Sequence, residues 1–249
     1  MIEIFLFKLV VNIMKCLIIV AGKGSRLKSL SDSKPLASLL DVPLVERVIR
    51  SSLEAGVDGF YAVVGYRGGQ VRTFLENLGG KIDVPISVIE NDDWEKANGL
   101  SVLKAKKFLD ETFFLLMGDH LFDPDIARKM IDFPMTDNQI VLAVDQDLNN
   151  PMVDMDDVTR VMAEDGLIRS IGKGIEEYNC FDTGIFLCNP VLFSALEQSA
   201  RETGDDSLSG GVRILAEKGS VHAMPIDGRF WIDIDDPARY KLAENYLLS

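Results

Sequence analysis

A short apolar strand that opens into a basic, glycine-containing loop is the feature that most constrains this chain. Residues 16–20 read CLIIV, and the loop that follows contains Gly22, Gly24, Arg26 and Lys34. An apolar run of this length, rich in isoleucine and valine, is typical of a central parallel strand. Backbone N–H groups at the glycines can bind an anion, and Arg26 and Lys34 add positive charge that suits phosphate. The stretch predicts a phosphate site at the end of a strand.

Two widespread phosphate-binding motifs do not fit this loop. A Walker A loop ends in Gly-Lys followed by Ser or Thr at a fixed spacing, which GKGSRL lacks. Leu27 stands where a dinucleotide-binding loop has its third glycine, and this disfavours a Rossmann dehydrogenase. A lone Gly-x-Gly is also compatible with a tight turn that binds nothing. The phosphate interpretation therefore depends on the two cations, Arg26 and Lys34.

In the first half of the chain, predicted strands alternate with predicted helices. Apolar runs and helical periodicity follow each other in the order 16–20, 43–55, 60–64, 69–78, 86–89, 98–109 and 113–117. This alternation predicts an α/β fold, Rossmann-like, with a mostly parallel sheet and helices on both faces. Ligands of such sheets bind beyond the carboxyl ends of the strands. The loop after residue 20 and the Gly118-Asp119 turn should therefore face one crevice.

The second half of the chain predicts a mixed or antiparallel extension of that sheet. Residues 164–166 read EDG and indicate a hairpin turn, and the acidic stretch 145–157 is expected to be the most mobile loop. Strands are expected at 139–144, 158–163, 167–171, 181–187 and 221–225, and helices at 190–199, 207–217 and 237–247. Since no linker or repeat interrupts these elements, we predict one domain over residues 15–249.

The N-terminal stretch and the composition exclude several classes of protein. Residues 1–14 are apolar but too short to span a bilayer, and they lack the basic start and cleavage site of a signal peptide. We expect a dispensable extension there, with an added edge strand as the alternative, and no membrane-spanning segment elsewhere. The net charge of -13 argues against broad nucleic-acid binding. Three cysteines without a CxxC pair predict reduced thiols in a cytoplasmic protein.

Aspartates at two predicted strand ends are candidates for a metal site. Asp119 follows the run 113–117, and a carboxylate that faces a phosphate site suits Mg²⁺. Asp233 and Asp235 lie on the same side of an extended segment, and we expect Asp233 to reach Asp119. Asp235 or Asp236 is expected to cap the closing helix instead. A turn or N-cap role is the alternative for Asp119, and His120 is expected to be structural.

Two groups of residues suit the acceptor of a transferred group. Lys173 follows a strand and lies between glycines, where it can neutralise a phosphate; an exposed loop lysine is the alternative. The triplet Asp182-Thr183-Gly184 interrupts an apolar strand, and its polar groups need partners such as the hydroxyls of a polyol.

The stretch KANGLS suits the edge of a nucleotide base. It places donors and acceptors at the start of a predicted helix, on Asn98, Gly99 and Ser101. The same residues also suit an ordinary helix N-cap.

Taken in this order, the motifs resemble the sugar-phosphate nucleotidyltransferase family. The likeness covers residues 15–249 and rests on the glycine loop with Lys34-Pro35-Leu36, on MGDH, on FDTGIFLC and on the closing WIDIDDPARYKLAENYLL. It implies that Mg²⁺ is held by Asp119 and Asp233. It further implies a nucleotide site at Ala21, Gly22, Lys23, Gly24, Asn98, Gly99 and Ser101, catalytic roles for Arg26, Lys34 and Asp119, and an acceptor site at Lys173, Asp182, Thr183 and Gly184.

The blocks EKANGLS, LLMGDH, IGKGIEEYNCFDTGIF and RFWIDID are more closely similar to inositol-1-phosphate cytidylyltransferases. That resemblance implies transfer of a cytidylyl group from CTP to inositol 1-phosphate, which gives CDP-inositol, pyrophosphate and a step toward di-myo-inositol phosphate. Many of these relatives carry a membrane-embedded phosphotransferase domain C-terminally. Since this chain ends at Ser249, we expect it to work with a separate membrane phosphotransferase. A hexose-1-phosphate uridylyl- or thymidylyltransferase and a non-catalytic nucleotide-binding regulator are the alternatives.

Overall fold

The structure is a computed structural model that describes residues 14–249. The extension predicted for residues 1–14, and its alternative as an edge strand, fall almost wholly outside these residues. In chain order the strands are β1 (Lys15–Val20), β2 (Ser38–Leu39), β3 (Val42–Pro43), β4 (Gly59–Val64), β5 (Ile86–Glu90), β6 (Phe113–Met117), β7 (His120–Phe122), β8 (Ile140–Asp145), β9 (Arg160–Glu164), β10 (Leu167–Gly172), β11 (Cys180–Cys188), β12 (Val221–Pro225) and β13 (Trp231–Asp233).

The helices follow the amphipathic stretches of the sequence, and several begin or end at recognisable caps. Asp123 and Asp236 each accept hydrogen bonds from first-turn N–H groups, and Gly56 ends the first helix in the left-handed conformation. The helices are α1 (Leu44–Ala55), α2 (Gly68–Ile82), α3 (Asn98–Lys104), α4 (Pro124–Ile131), α5 (Val191–Thr203), α6 (Leu208–Ala216) and α7 (Pro237–Leu248). Short 3₁₀ turns lie at Ser25–Leu27 and Lys34–Leu36.

The main sheet formed by the described residues has the strand order β5-β4-β1-β6-β11-β8-β12-β10-β9. Strands β5, β4, β1 and β6 are parallel, whereas β11 runs antiparallel to both β6 and β8. Strands β8 and β12 are again parallel. The predicted Rossmann-like mixed sheet is confirmed, with its parallel half first and its antiparallel strands in the second half.

Helices cover both faces of the sheet because successive side chains of each strand point to opposite sides. In β1, Cys16 and Ile18 belong to the core that packs under α1, α2 and α4, while Leu17 belongs to the core under α3, α5 and α6. All three side chains are fully buried. This two-sided burial explains why the strand reads as an uninterrupted apolar run.

Several local predictions are confirmed and others need correction. Asp165 and Gly166 both adopt positive φ in the hairpin between β9 and β10, as the EDG turn predicts. The helix predicted over 98–109 ends at Lys104, because the chain continues in turns such as Ala105 N–H to the Val102 carbonyl. Helix α4 and strand β7 were missed, although Asp123-Pro124 is a typical helix start.

The cysteines of the described residues match one further expectation. Cys16, Cys180 and Cys188 are buried free thiols, as predicted. No helix in residues 14–249 is long and apolar enough to cross a membrane.

Candidate active site

A polar pocket of about 330 Å³ lies at the carboxyl edge of the parallel strands. Strand β11 contributes its first residues to this edge rather than its last, because it runs antiparallel to β6. The two predicted polar clusters and the closing segment therefore meet here. Predicted site residues that line the pocket are Ala21, Gly22, Asn98, Ser101, Asp119, Lys173, Asp182, Gly184 and Asp233.

The glycine loop (residues 21–34) folds back so that Lys34 lies at its base. Gly24 has a φ of 59°, and a Cβ there would overlap the side chain of Lys34, so this position requires glycine. The Lys34 side chain is 8% exposed and forms ion pairs with Asp119 and Asp235, with Asp233 at 3.7 Å. Although burial opposes its charge, these three carboxylates raise the pKa of Lys34 above its ordinary value. Lys34 is thus a fixed cation directly behind the carboxylates of the pocket.

Arg26 and Lys173 come together through a carboxylate that the sequence did not point to. Both cations pair with Asp157, and Arg26 also donates to Asp235 at 2.5 Å. Burial disfavours the Asp157 carboxylate, but Lys173 and Arg26 outweigh it and lower the pKa of Asp157 to about 2. Arg26 and Lys173, which are both predicted to bind phosphates, therefore share the Asp157 carboxylate.

Asp119 and Asp233 meet because the short strands β7 and β13 pair. His120 is the register partner of Asp233, and the Ile234 N–H donates to the Asp119 carbonyl at 3.1 Å. Ligand atoms of Asp119, His120 and Asp233 all lie within 4.8 Å of one another. The predicted approach of Asp233 to Asp119 is confirmed.

His120 connects this carboxylate pair to strand β11. Its Nδ1 donates to the Thr183 carbonyl at 2.8 Å, and its Nε2 lies 3.4 Å from Asp233. Although burial favours the neutral ring, Asp233 and Asp119 raise the pKa of His120 to about 10. Burial likewise disfavours the Asp233 carboxylate, but His120 and Lys34 hold the pKa of Asp233 far below its ordinary range.

The carboxylates fit a divalent cation. Oδ1 of Asp233 is buried and has no hydrogen-bond partner among residues 14–249, although buried polar atoms are normally satisfied. Carboxylate oxygens are preferred ligands of Mg²⁺, and the pocket beside them is open to a phosphate. A helix-capping role is taken by Asp236, which leaves Asp235 free to contact Lys34 and Arg26.

The acceptor triplet divides into residues that face the pocket and one that does not. Asp182 and Gly184 line the pocket, and one Asp182 oxygen accepts from the Gly184 N–H at 2.7 Å. Thr183 is fully buried and its hydroxyl donates to the Ala143 carbonyl at 2.8 Å, so its side chain is used within the sheet. Thr183 contacts the site only with its backbone carbonyl, which accepts the hydrogen bond from His120.

Of the residues predicted to contact the nucleotide base and of those in the glycine loop, some line the pocket and others do not. Asn98 lines the pocket while its Oδ1 accepts from the Leu208 N–H at 2.9 Å, and Ser101 accepts from Asn91 at 2.9 Å. Gly99 packs away from the pocket, where a Cβ would meet backbone atoms of residues 206–207. Lys23 lies over the Tyr66 ring, 5.7 Å from its centroid, and does not line this pocket.

Residues 16–217 match the family described as the MobA-like NTP transferase domain. The chain belongs to this family. It is similar to proteins called bifunctional IPC transferase and DIPP synthase, with 34% identity to that of Rubrobacter xylanophilus over 93% of this chain and 51% of the relative. The protein of that name from Aquifex aeolicus is 30% identical, over 93% of this chain and 51% of the relative. The chain therefore spans about half the length of these curated relatives.

Two solved structures superpose on more than nine-tenths of the chain. The inositol-1-phosphate CTP transferase from T. maritima has a TM-score of 0.81 and 29% identity, over 92% of this chain and 94% of that one. A UDP-glucose pyrophosphorylase complexed with UDP-glucose has a TM-score of 0.77 and 18% identity, over 95% of this chain and 98% of that one. At that lower identity the likeness concerns the fold alone.

Three functional candidates in this MobA-like domain escaped the sequence reasoning. Asp157 was assigned to a mobile loop, His120 to structure and Trp231 to no role. Trp231 lines the pocket and donates from Nε1 to the buried Asp145 at 2.8 Å. The doublet Gly118-Asp119 directly before His120 was the signal that pointed to this histidine, whereas nothing near Asp157 in the sequence identifies its partners.

Proposed function

We propose that this chain transfers the cytidylyl group of CTP to inositol 1-phosphate, giving CDP-inositol and pyrophosphate. The observation that carries the reaction class is that Arg26, Lys34 and Lys173 pair with carboxylates that line one pocket, in which Asp119 and Asp233 also lie. Three cations and a carboxylate pair match the charges of a triphosphate, a second phosphate and a divalent cation.

The chain's own residues supply binding, orientation and charge. The acceptor is a phosphate monoester, which is already ionised near neutral pH and attacks the α-phosphorus without a general base. The glycine loop and Arg26 would hold the departing β- and γ-phosphates, Lys34 would offset charge near the reacting phosphorus, and Lys173 would hold the acceptor phosphate. Such a reaction depends on positioning and electrostatic stabilisation.

Asp119 and Asp233 are the residues that would hold Mg²⁺. When bound, the ion would neutralise charge on the phosphate oxygens of the nucleotide. Lys34 and His120 both contact these carboxylates and lie 3.7 Å and 3.4 Å from Asp233. This pairing lowers the pKa of Asp233 and so favours the ionised form that binds a cation.

The identity of the substrates is supported by the relatives rather than by the pocket. The T. maritima inositol-1-phosphate CTP transferase aligns over 94% of its length, and its identity of 29% exceeds that of the uridylyl-transferring neighbours. Asp182 lies in the pocket with a carboxylate suited to polyol hydroxyls. We further propose that the enzyme works in the cytoplasm and that a membrane phosphotransferase uses its CDP-inositol on the route to di-myo-inositol phosphate.

A pyrophosphate-release screen tests the proposal. The purified chain is incubated with Mg²⁺, each of CTP, UTP, dTTP and ATP, and each of inositol 1-phosphate, glucose 1-phosphate and N-acetylglucosamine 1-phosphate. We expect release with CTP and inositol 1-phosphate to exceed every other pair. Release with a hexose 1-phosphate and UTP or dTTP instead would support the alternative transferase. Nucleotide binding without release from any pair would indicate a regulator.

A further inference from the structure

We propose that Nε2 of His120 is a third protein ligand of the divalent cation held by Asp119 and Asp233, and that this nitrogen makes the site prefer Mn²⁺ or Co²⁺ to Mg²⁺. The inference rests on the proposed function for the presence of a cation between the two aspartates. It goes beyond that function in naming a nitrogen ligand and the class of metal that the ligand selects.

The distances suit a shared ion. Nε2 of His120 lies 3.4 Å from Oδ2 of Asp233 and 3.8 Å from Oδ1 of Asp119. Two atoms that each lie about 2.1 Å from one ion are about 3.0 Å apart at a right angle and about 4.2 Å apart when opposite. Both separations fall between these limits. An ion can therefore contact all three side chains with small movements.

Lys34 leaves this side of the carboxylates free. It pairs with Oδ2 of Asp119 and lies nearest to Oδ1 of Asp233, whereas His120 faces the other oxygen of each residue. The lysine and the histidine thus approach different oxygens. A cation beside His120 does not require the ion pair between Lys34 and Asp119 to break.

The hydrogen bonding of His120 assigns its tautomer. A backbone carbonyl only accepts, so Nδ1 must carry the proton that it donates to the Thr183 carbonyl at 2.8 Å. The second nitrogen, Nε2, points at the two carboxylates, and a cation that binds there displaces the proton that Nε2 otherwise shares with them. An imidazole N–H that donates to a backbone carbonyl is the usual outer-sphere support of a metal-ligating histidine.

The ring is also held from the side of strand β11. Gly184 has a φ of 74°, and a Cβ built there would overlap the His120 ring. Any larger residue at position 184 would displace the imidazole from the carboxylates. Gly184 therefore fits the ring against the metal site, in addition to lining the acceptor pocket.

The donor set decides which cations are favoured. Mg²⁺ prefers oxygen ligands in strict octahedral geometry, while imidazole nitrogen suits softer first-row transition ions. A site with two carboxylates and one imidazole should bind Mn²⁺ and, more strongly, Co²⁺ in preference to Mg²⁺. A site with the two carboxylates alone would lack this advantage.

Pulsed EPR of the protein with Mn²⁺ alone tests nitrogen ligation without any turnover. The chain has two histidines, His120 and His222, so two variants assign the signal. We expect electron spin-echo modulation from directly bound ¹⁴N in the wild type and in His222→Gln, and its loss in His120→Asn. An Asn amide can keep the donor to the Thr183 carbonyl while removing Nε2. Absence of the ¹⁴N modulation in the wild type, or its persistence in His120→Asn, would overturn the proposal.

Metal titrations of the same proteins test the preference. We expect His120→Asn to weaken Mn²⁺ binding by about tenfold or more and Mg²⁺ binding by less than about threefold, since loss of a nitrogen ligand matters most for softer ions. Equal losses for the two metals, or failure of the wild type to bind Mn²⁺ at all, would contradict the inference. The pyrophosphate screen keeps the two proposals separate, because turnover of CTP with inositol 1-phosphate can occur with or without a nitrogen ligand.

Discussion

At the scale of single residues, the site combines carboxylates in different electrostatic environments. Asp233 and Asp157 lie beside cations that favour their ionised forms. Burial, by contrast, raises the pKa of Asp182 to about 6, and the Gly184 N–H and His120 compensate only in part. Asp233 and Asp157 are therefore charge-bearing groups of the pocket, whereas Asp182 is a weaker acid beside the acceptor position.

The raised pKa of Asp182 has a consequence for stability. Between about pH 4 and pH 6 the folded state binds more protons than the unfolded state, so stability falls as the pH rises through this window. We expect Asp182→Asn to raise the free energy of unfolding at pH 7 by about 3 kcal/mol, since the pKa rises from 3.8 to about 6 and each unit corresponds to about 1.4 kcal/mol. The gain should shrink toward zero near pH 4. Urea unfolding of the metal-free protein at both pH values measures it, and an equal gain at both would contradict the assignment.

Asp119 is the residue whose loss should affect chemistry most selectively. We expect Asp119→Ala to lower kcat for pyrophosphate release by at least about 100-fold, because charge stabilisation at the reacting phosphate is lost. Asp137→Ala, at an exposed position outside the pocket, is the matched control and should keep its activity. Circular dichroism would verify that both variants are folded. Near-normal release from Asp119→Ala would refute its assignment to the metal.

Lys173 distinguishes the two phosphate positions. We expect Lys173→Ala to raise the KM for inositol 1-phosphate by about tenfold, in line with a lost charge-assisted hydrogen bond, and to leave the KM for CTP nearly unchanged. Lys173 and Arg26 share Asp157, so the two phosphates should bind side by side. If only the KM for CTP changes, Lys173 belongs to the triphosphate site.

At the scale of elements, the segment between β8 and β9 (residues 146–159, the strap) crosses the pocket. Met152, Asp154 and Asp157 of the strap line the pocket. Arg239 of α7 also contacts the strap and donates to the Val153 carbonyl at 3.2 Å. Residues 145–157, which include most of the strap, were predicted to be the most mobile loop. In this structure Arg26 and Lys173 both bind Asp157 of the strap.

The strap should compete with nucleotide for Arg26. The pairing of Asp157 contributes stability above about pH 4 and loses it as the pH falls toward 2, so Asp157 is ionised at neutral pH. We expect Asp157→Asn to tighten CTP binding about two- to fivefold, because a partly exposed ion pair is worth less than about 1 kcal/mol. Calorimetric titration measures the change.

Asp156→Asn provides the control for the strap. Asp156 is exposed. Its substitution by Asn removes one negative charge next to Asp157, so both variants change the net charge of the strap by the same amount. This variant should bind CTP as the wild type does. Weaker CTP binding by Asp157→Asn would mean that Asp157 takes part in holding the nucleotide rather than opposing it.

At the scale of the whole molecule, Asp145 joins three parts of the fold. It ends β8 and is 2% exposed, and its oxygens accept from the Asp147 N–H at 3.0 Å, from Asn150 at 2.8 Å and from Trp231 at 2.8 Å. The sheet, the strap and strand β13 therefore depend on one carboxylate. Trp231 lies two residues before Asp233, so this contact also fixes the position of the candidate metal ligand.

Removing Asp145 should affect stability and activity together. We expect Asp145→Ala to lower the free energy of unfolding by about 3 kcal/mol, because three hydrogen bonds of about 1 kcal/mol each are lost. Trp231→Phe removes one of them and should cost about 1 kcal/mol from that bond. Thermal and urea unfolding, together with kcat, compare the two variants. Equal costs would mean that Asp145 acts only through Trp231.

Much of the fold was predictable because its signals are local. The alternation of strands and helices, the EDG hairpin and the Asp236 cap each depend on residues close in sequence, and the structure confirms them. Helix α4 was missed although its cap lies in the sequence, because a helix of eight residues places only three residues in the core and so gives a short signal. The roles predicted for Gly99 and for the Thr183 side chain came from the polar character of their local stretches, and the structure uses both positions within the fold.

By itself the sequence determined the sheet, the glycine loop and the placement of Asp119 and Asp233 at strand ends, because periodicity and turn chemistry act over a few residues. Only the tertiary structure decided which side chains meet. Arg26 and Asp157 are separated by 131 positions, and His120 reaches the Thr183 carbonyl 63 residues away. Such pairs depend on how strands and loops pack across the crevice. No local pattern encodes that packing, so Asp157 and the inward-facing His120 emerge only from the folded chain.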